Sequence, residues 1–115
     1  MPHLTGRTAN MGQRQIELNL ASDGIEHGFC ICEDGRGNFA AGRETTGHRY
    51  GVQIDVSCPP GFRPTGLFHT HPGGTPEPSR QDIREGCRLG IRHLCIAVPE
   101  TGEIKCHDIG RGCGR

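Results

Sequence analysis

Thr65-Gly66-Leu67-Phe68-His69-Thr70-His71-Pro72, followed seven residues later by Ser79-Arg80-Gln81-Asp82, carries most of what this chain discloses about itself. The first block reads as the end of a strand, where side chains two apart point to one face. His69 and His71 therefore lie on the same side. Pro72, Gly73, Gly74, Thr75 and Pro76 stop the strand and force a loop. Ser79 then opens a helix, with Ile83, Cys87, Gly90 and Ile91 spaced to bury one side. Asp82 falls in its first turn, so a strand end and a helix start converge on one point.

Two imidazoles, a hydroxyl and a carboxylate thus sit within fourteen residues. Zinc favours such nitrogen and oxygen donors, and a catalytic site commonly supplies three protein ligands and leaves one position open. His69, His71 and Asp82 make three. A plainer role for Ser79-x-x-Asp82 is a helix capping box with Asp in place of the usual Glu or Gln, and Ser79 can fill both roles.

H-x-H-P followed by S-x-x-D resembles the JAMM, or MPN+, metalloprotease family in its short prokaryotic form. The resemblance covers roughly residues 25–109. It implies a curled mixed β-sheet of the MPN/JAB, cytidine-deaminase-like kind with one or two packed helices. It also implies one catalytic Zn2+ held by His69, His71 and Asp82, with Ser79 stabilising the tetrahedral intermediate. A glutamate well upstream acts in that family as general base on the attacking water. Glu17, Glu26, Glu33 and Glu44 precede the motif. Glu26 is preferred, because it lies 43 residues before His69 and just ahead of the apolar run Gly28-Phe29-Cys30-Ile31-Cys32. Glu17 is the second choice, and an exposed strand-edge carboxylate is the plain alternative for Glu26. The implied activity is hydrolysis of a peptide or isopeptide bond, at the C-terminus of a ubiquitin-like or sulfur-carrier protein. Two readings compete: a non-catalytic MPN-type interaction module, and a RadC-like protein associated with DNA.

The rest of the chain bounds these readings. One small domain is all that 115 residues with 32% hydrophobic content and 19 glycines can hold. Thirteen basic residues balance thirteen acidic ones, so no basic excess announces nucleic acid. Arg80, Arg84, Arg88 and Arg92 nevertheless recur every fourth residue. They form a stripe read as a solvated helix face, or alternatively as a dock for an acidic partner. Seven cysteines, an odd count, and the lack of an apolar leader in residues 1–15 favour reduced thiols in a cytoplasmic protein over a disulfide framework. Cys30 and Cys32 read as small core fillers. A second, structural zinc site combining them with Cys106, His107 and Cys113 is the minor alternative. No apolar run is long enough to span a membrane.

By pattern the domain is α+β. Residues 1–14 are expected as a flexible arm, 15–109 as the domain and 110–115 as a flexible tail. Residues 28–33 and 38–44 make a hairpin around Asp34-Gly35-Arg36-Gly37. Val52, Ile54 and Val56 alternate through residues 50–56 as in a further strand. Residues 93–98 read as a buried strand that turns at 99–102 and returns through 103–109.

Overall fold

The computed structural model describes residues 24–49 and 51–113. Among the described residues the strands are β1 (His27–Glu33), β2 (Phe39–Ala41), β3 (Thr45–Thr46), β4 (Arg63–Thr70), β5 (His93–Val98) and β6 (Glu103–Asp108), with one α-helix, α1 (Arg80–Arg88). They build a six-stranded mixed sheet in the order β2-β1-β4-β5-β6, with β3 also pairing to β1. All neighbours are antiparallel except β4 and β5. A parallel pair needs a crossover connection, and α1 with its flanking loops supplies it. This α+β architecture matches the expectation.

The core lies on both faces of the sheet. On one, Phe29, Ile31, Phe68, Cys95 and Ala97 pack together. Phe29 and Phe68 face each other in register and stack with ring centroids 5.0 Å apart. On the other, Leu67, Ile91, Leu94 and Ile109 gather Ile54, Val56, Ile83 and Leu89 around them. This second face lies under α1, and it also carries His69, two residues along β4 from Leu67.

Both ends of α1 are closed by local chemistry. Ser79 Oγ accepts the Asp82 N–H at 3.0 Å, and the Asp82 carboxylate accepts the Ser79 N–H at 2.8 Å, a complete capping box despite the Asp. At the other end Gly90 adopts φ +74°. The N–H groups of Gly90 and Ile91 reach back to the carbonyls of Cys87 and Gly86, which completes a Schellman motif.

The structure departs from the sequence expectations in three places. Residues 51–56 form no strand; beyond an isolated bridge between His48 and Gly51 they run irregularly. Their alternation serves burial instead, because Ile54 and Val56 pack into the core without pairing to a neighbour. At the C-terminal end the fold continues past residue 109 as a 3-10 helix, Gly110–Cys113. The cysteines differ most. Cys32–Cys58, Cys87–Cys113 and Cys95–Cys106 are disulfides, and Cys30 is the free thiol. An odd count concealed three pairs and a remainder. The reduced-thiol argument for a cytoplasmic home loses its ground with them. A zinc site uniting Cys30 and Cys32 with Cys106 and Cys113 is not assembled, because Cys106 packs with the Phe29 and Ile31 cluster on the opposite face of the sheet. No helix among the described residues is long and apolar enough to cross a membrane. The expected arm at 1–14 and Glu17 lie outside the described residues.

Candidate functional site

His69 is the penultimate residue of β4, held between Gly28 of β1 and Ile96 of β5. Its side chain is buried. His71 follows the strand, but its N–H still donates to the Ala97 carbonyl at 2.8 Å. That bond prolongs the extended geometry by one residue, so the two imidazoles meet on one face with centroids 4.8 Å apart. The loop after them is tied at three points. His71 Nδ1 donates to the Thr75 carbonyl at 2.9 Å, the Gly73 N–H donates to Glu100 at 2.9 Å, and His107 Nε2 lies 2.9 Å from the Pro76 carbonyl. This tethered loop delivers Asp82 to the histidines.

Asp82 bridges the pair. Its Oδ2 is 3.1 Å from His71 Nε2 and its Oδ1 is 3.7 Å from His69 Nε2. Two ligand atoms at about 2.0–2.1 Å from a tetrahedral zinc stand roughly 3.3 Å apart. The two distances bracket that value. Ser79 lies beside them at the exposed rim, and its hydroxyl accepts a backbone bond while its own proton stays available, since a hydroxyl has one donor and two lone pairs.

Glu26 approaches from the opposite side. It sits one residue before β1, fixed by its N–H to the His48 carbonyl at 3.0 Å and by its own carbonyl, which accepts the Gly47 N–H at 2.8 Å. Its buried carboxylate places Oε1 3.4 Å from His69 Nδ1. That contact is an ion-pair distance only, and His69 Nδ1 is a buried nitrogen without a hydrogen-bond partner. Donor atoms of Glu26, His69 and His71 all lie within 4.8 Å of one another, a group that could hold a metal ion. The pair of histidines is thus flanked by two carboxylates. Asp82 is the better third ligand, because it faces Nε2 of both rings, whereas Glu26 faces the other nitrogen of one. Of the other described upstream glutamates, Glu33 closes the end of β1 away from His69, and Glu44 pairs with His27 Nδ1 at 3.4 Å.

The charges are mutually stabilised. Burial alone would raise the pKa of Asp82. The hydrogen bond from His71, the nearby charge of His69, the Ser79 N–H and the charge of His71 outweigh it and hold the carboxyl at about 2. The same hydrogen bond to Asp82 raises His71 against the opposing effect of burial, and the Thr75 carbonyl adds to the rise. Because Thr75 takes the Nδ1 proton, Nε2 is the nitrogen left for an ion once its own proton leaves.

All five residues expected from the sequence, Glu26, His69, His71, Ser79 and Asp82, are brought together. Two contributors carried no sequence signal. Gly28 stands opposite His69, with Ile54 and the Phe68 carbonyl oxygen both 2.8 Å from where a Cβ would be. His107 anchors the loop from β6. Each role depends on strand register, which the motif does not encode.

No protein-family model matches the chain, and no curated protein matches it in sequence. In structure it is similar to a JAB1/MPN domain protein from Archaeoglobus fulgidus, with a TM-score of 0.59 and 16% identity over 89% of this chain and 87% of that one. The chain therefore has the MPN/JAB fold.

Proposed function

We infer that this protein is a zinc-dependent metallopeptidase of JAMM type. It hydrolyses a peptide or isopeptide bond, with the C-terminal glycine segment of a ubiquitin-like or sulfur-carrier protein as the substrate class. The observation that carries the reading is the convergence of His69 Nε2, His71 Nε2 and the Asp82 carboxylate, with Glu26 on their far side and Ser79 on the rim. The resemblance of the motif to the family and the MPN/JAB fold support it.

His69, His71 and Asp82 would hold the ion. When bound, zinc supplies a Lewis acid that polarises the scissile carbonyl and acidifies water. Glu26 takes a proton from the attacking water and returns it to the leaving amine, work that contributes about 10²–10⁴-fold. Its carboxylate lies beside His69 and is shielded from bulk solvent. The Ser79 hydroxyl donates to the developing oxyanion, a contribution of roughly 3–4 kcal/mol for a well-placed donor. Site burial decreases from Glu26 and His69 to Ser79, so the substrate enters over the N-terminus of α1.

The test uses zinc-loaded protein and a fluorogenic peptide ending in Gly-Gly. Cleavage is expected, is lost on chelation and returns with zinc. Glu26→Gln retains one zinc and loses turnover. If that variant cleaves as well as wild type, the base assignment fails. If zinc-loaded wild type cleaves neither this peptide nor a ubiquitin-like fusion, the chain is a non-catalytic module.

A further inference from the structure

Cys30, Cys32 and Cys58 stand apart from the histidine site and have no part in the proposed hydrolysis. Cys30 and Cys32 are two apart on β1, on the face opposite Phe29 and Ile31, and both are fully buried. The loop leading into β4 brings Cys58 against them. Cys32 and Cys58 form the disulfide, and the Cys30 sulfur lies 4.0 Å from that of Cys58. All three sulfurs fall within 4.8 Å of one another.

That third sulfur is more than a disulfide needs. Thiolates at about 2.3 Å from a tetrahedral zinc stand roughly 3.8 Å apart. Cys30 and Cys58 are already at nearly this spacing, and Cys32 needs only to part from Cys58. Soft thiolate donors select d10 ions such as Zn2+ and Cu+.

We propose that Cys30, Cys32 and Cys58 form a second metal site, a three-thiolate pocket for a soft d10 cation, closed while Cys32–Cys58 is oxidised and opened when a dithiol reduces it. The dithiol gives two electrons and two protons to the disulfide and becomes a cyclic disulfide. Two thiols are released beside Cys30. Three S–H protons then pass to solvent as three metal–sulfur bonds form, and the fourth position is left to water.

Cys30→Ser is the informative variant, because it removes one sulfur and leaves the disulfide intact. The full chain is reduced with a trialkylphosphine in the absence of oxygen and titrated with Cd2+. The readouts are the ultraviolet thiolate-to-cadmium charge-transfer band and far-ultraviolet circular dichroism. Reduced wild type is expected to stay folded and to give a three-thiolate band that is absent from the oxidised protein. In Cys30→Ser the band falls by about one third or more, as the site drops from three thiolates to two. In Cys87→Ser/Cys113→Ser, in Cys95→Ser/Cys106→Ser and in His69→Ala it persists, which separates this site from the other thiols and from the proposed catalytic ion. An equal band in Cys30→Ser, no band in reduced wild type, or unfolding on reduction overturns the site.

Discussion

Two donor clusters share the α1-side surface of the sheet, and the chain assembles them in opposite ways. The histidine corner draws His69, His71, Ser79 and Asp82 from fourteen consecutive residues, and only Glu26 comes from afar. Its parts are held by short-range bonds: the capping box, the Thr75 carbonyl and the continuation of β4 through Ala97. The cysteine corner has no such local frame. Its third sulfur arrives from a loop 26 residues beyond Cys32. A contiguous motif sets its own geometry through backbone rules, whereas a dispersed cluster exists only after the sheet has formed.

If the corners are independent, removing a ligand from one should leave the other intact. Asp82→Ala is expected to have the largest effect. Zinc content falls from one equivalent to none and turnover falls to background, while Cys32–Cys58 stays oxidised by mass spectrometry under non-reducing conditions. Loss of that disulfide in the variant would show the corners to be coupled. Ser79→Ala comes next. It keeps its zinc and loses roughly 10²–10³-fold in turnover, the usual effect of removing one oxyanion donor. Loss of the cap adds about 1 kcal/mol of destabilisation, so kinetics and a thermal melt of one variant separate the two roles of Ser79.

Gly28 lies on β1 between Glu26 and Cys30 and is the residue through which both corners can be disturbed. Gly28→Ala would place a methyl 2.8 Å from both Ile54 and the Phe68 carbonyl oxygen. Overpacking of this kind costs about 1–3 kcal/mol. A melting temperature unchanged from wild type would show that the loop carrying Ile54 yields freely. The smallest effect is the pH dependence of the metal-free protein. The Asp82 carboxyl is lowered from 3.8 to about 2, so its stabilisation is present above about pH 4 and is lost as pH falls toward 2. After allowance for solvent screening it amounts to on the order of 1–2 kcal/mol. His71 is raised, so its share is present below its ordinary value of 6.5 and is lost as pH rises through the folded value. Denaturant melts of metal-free protein should weaken at both ends of this window. Added zinc should stabilise most on the alkaline side, where the ion no longer competes with the His71 proton.

Much of the fold was legible because its elements end in strong local signals. The β1–β2 hairpin, the loop after His71, the helix opened at Ser79 and the pair β5–β6 all appear where turn residues and apolar runs place them. Residues 51–56 misled because alternation records burial, and burial without a strand partner looks the same in sequence. Arg80, Arg84 and Arg88 are exposed on α1, Arg88 pairs with Glu85, and Arg92 is exposed beyond the end of the helix, so the expected stripe is one residue shorter than the sequence pattern. Two of the disulfides join segments 26 residues apart, whereas Cys95–Cys106 spans only 11 and depends on the residue-by-residue register of one strand pair. Cys95 and Cys106 are opposed by the register of β5 and β6, and Cys87 meets Cys113 only because the last turn folds back on α1.

The sequence by itself determined that His69, His71 and Asp82 would meet, and it determined the helix cap that holds Asp82. Strand alternation and capping act within a few residues and need no knowledge of the rest of the chain. Only the tertiary structure decided that Glu26, among the described upstream glutamates, reaches His69, and that Cys58 meets Cys30 and Cys32. Both follow from how β1 registers against β4 and how the intervening loop returns, and such long-range pairing is fixed by the packed sheet as a whole.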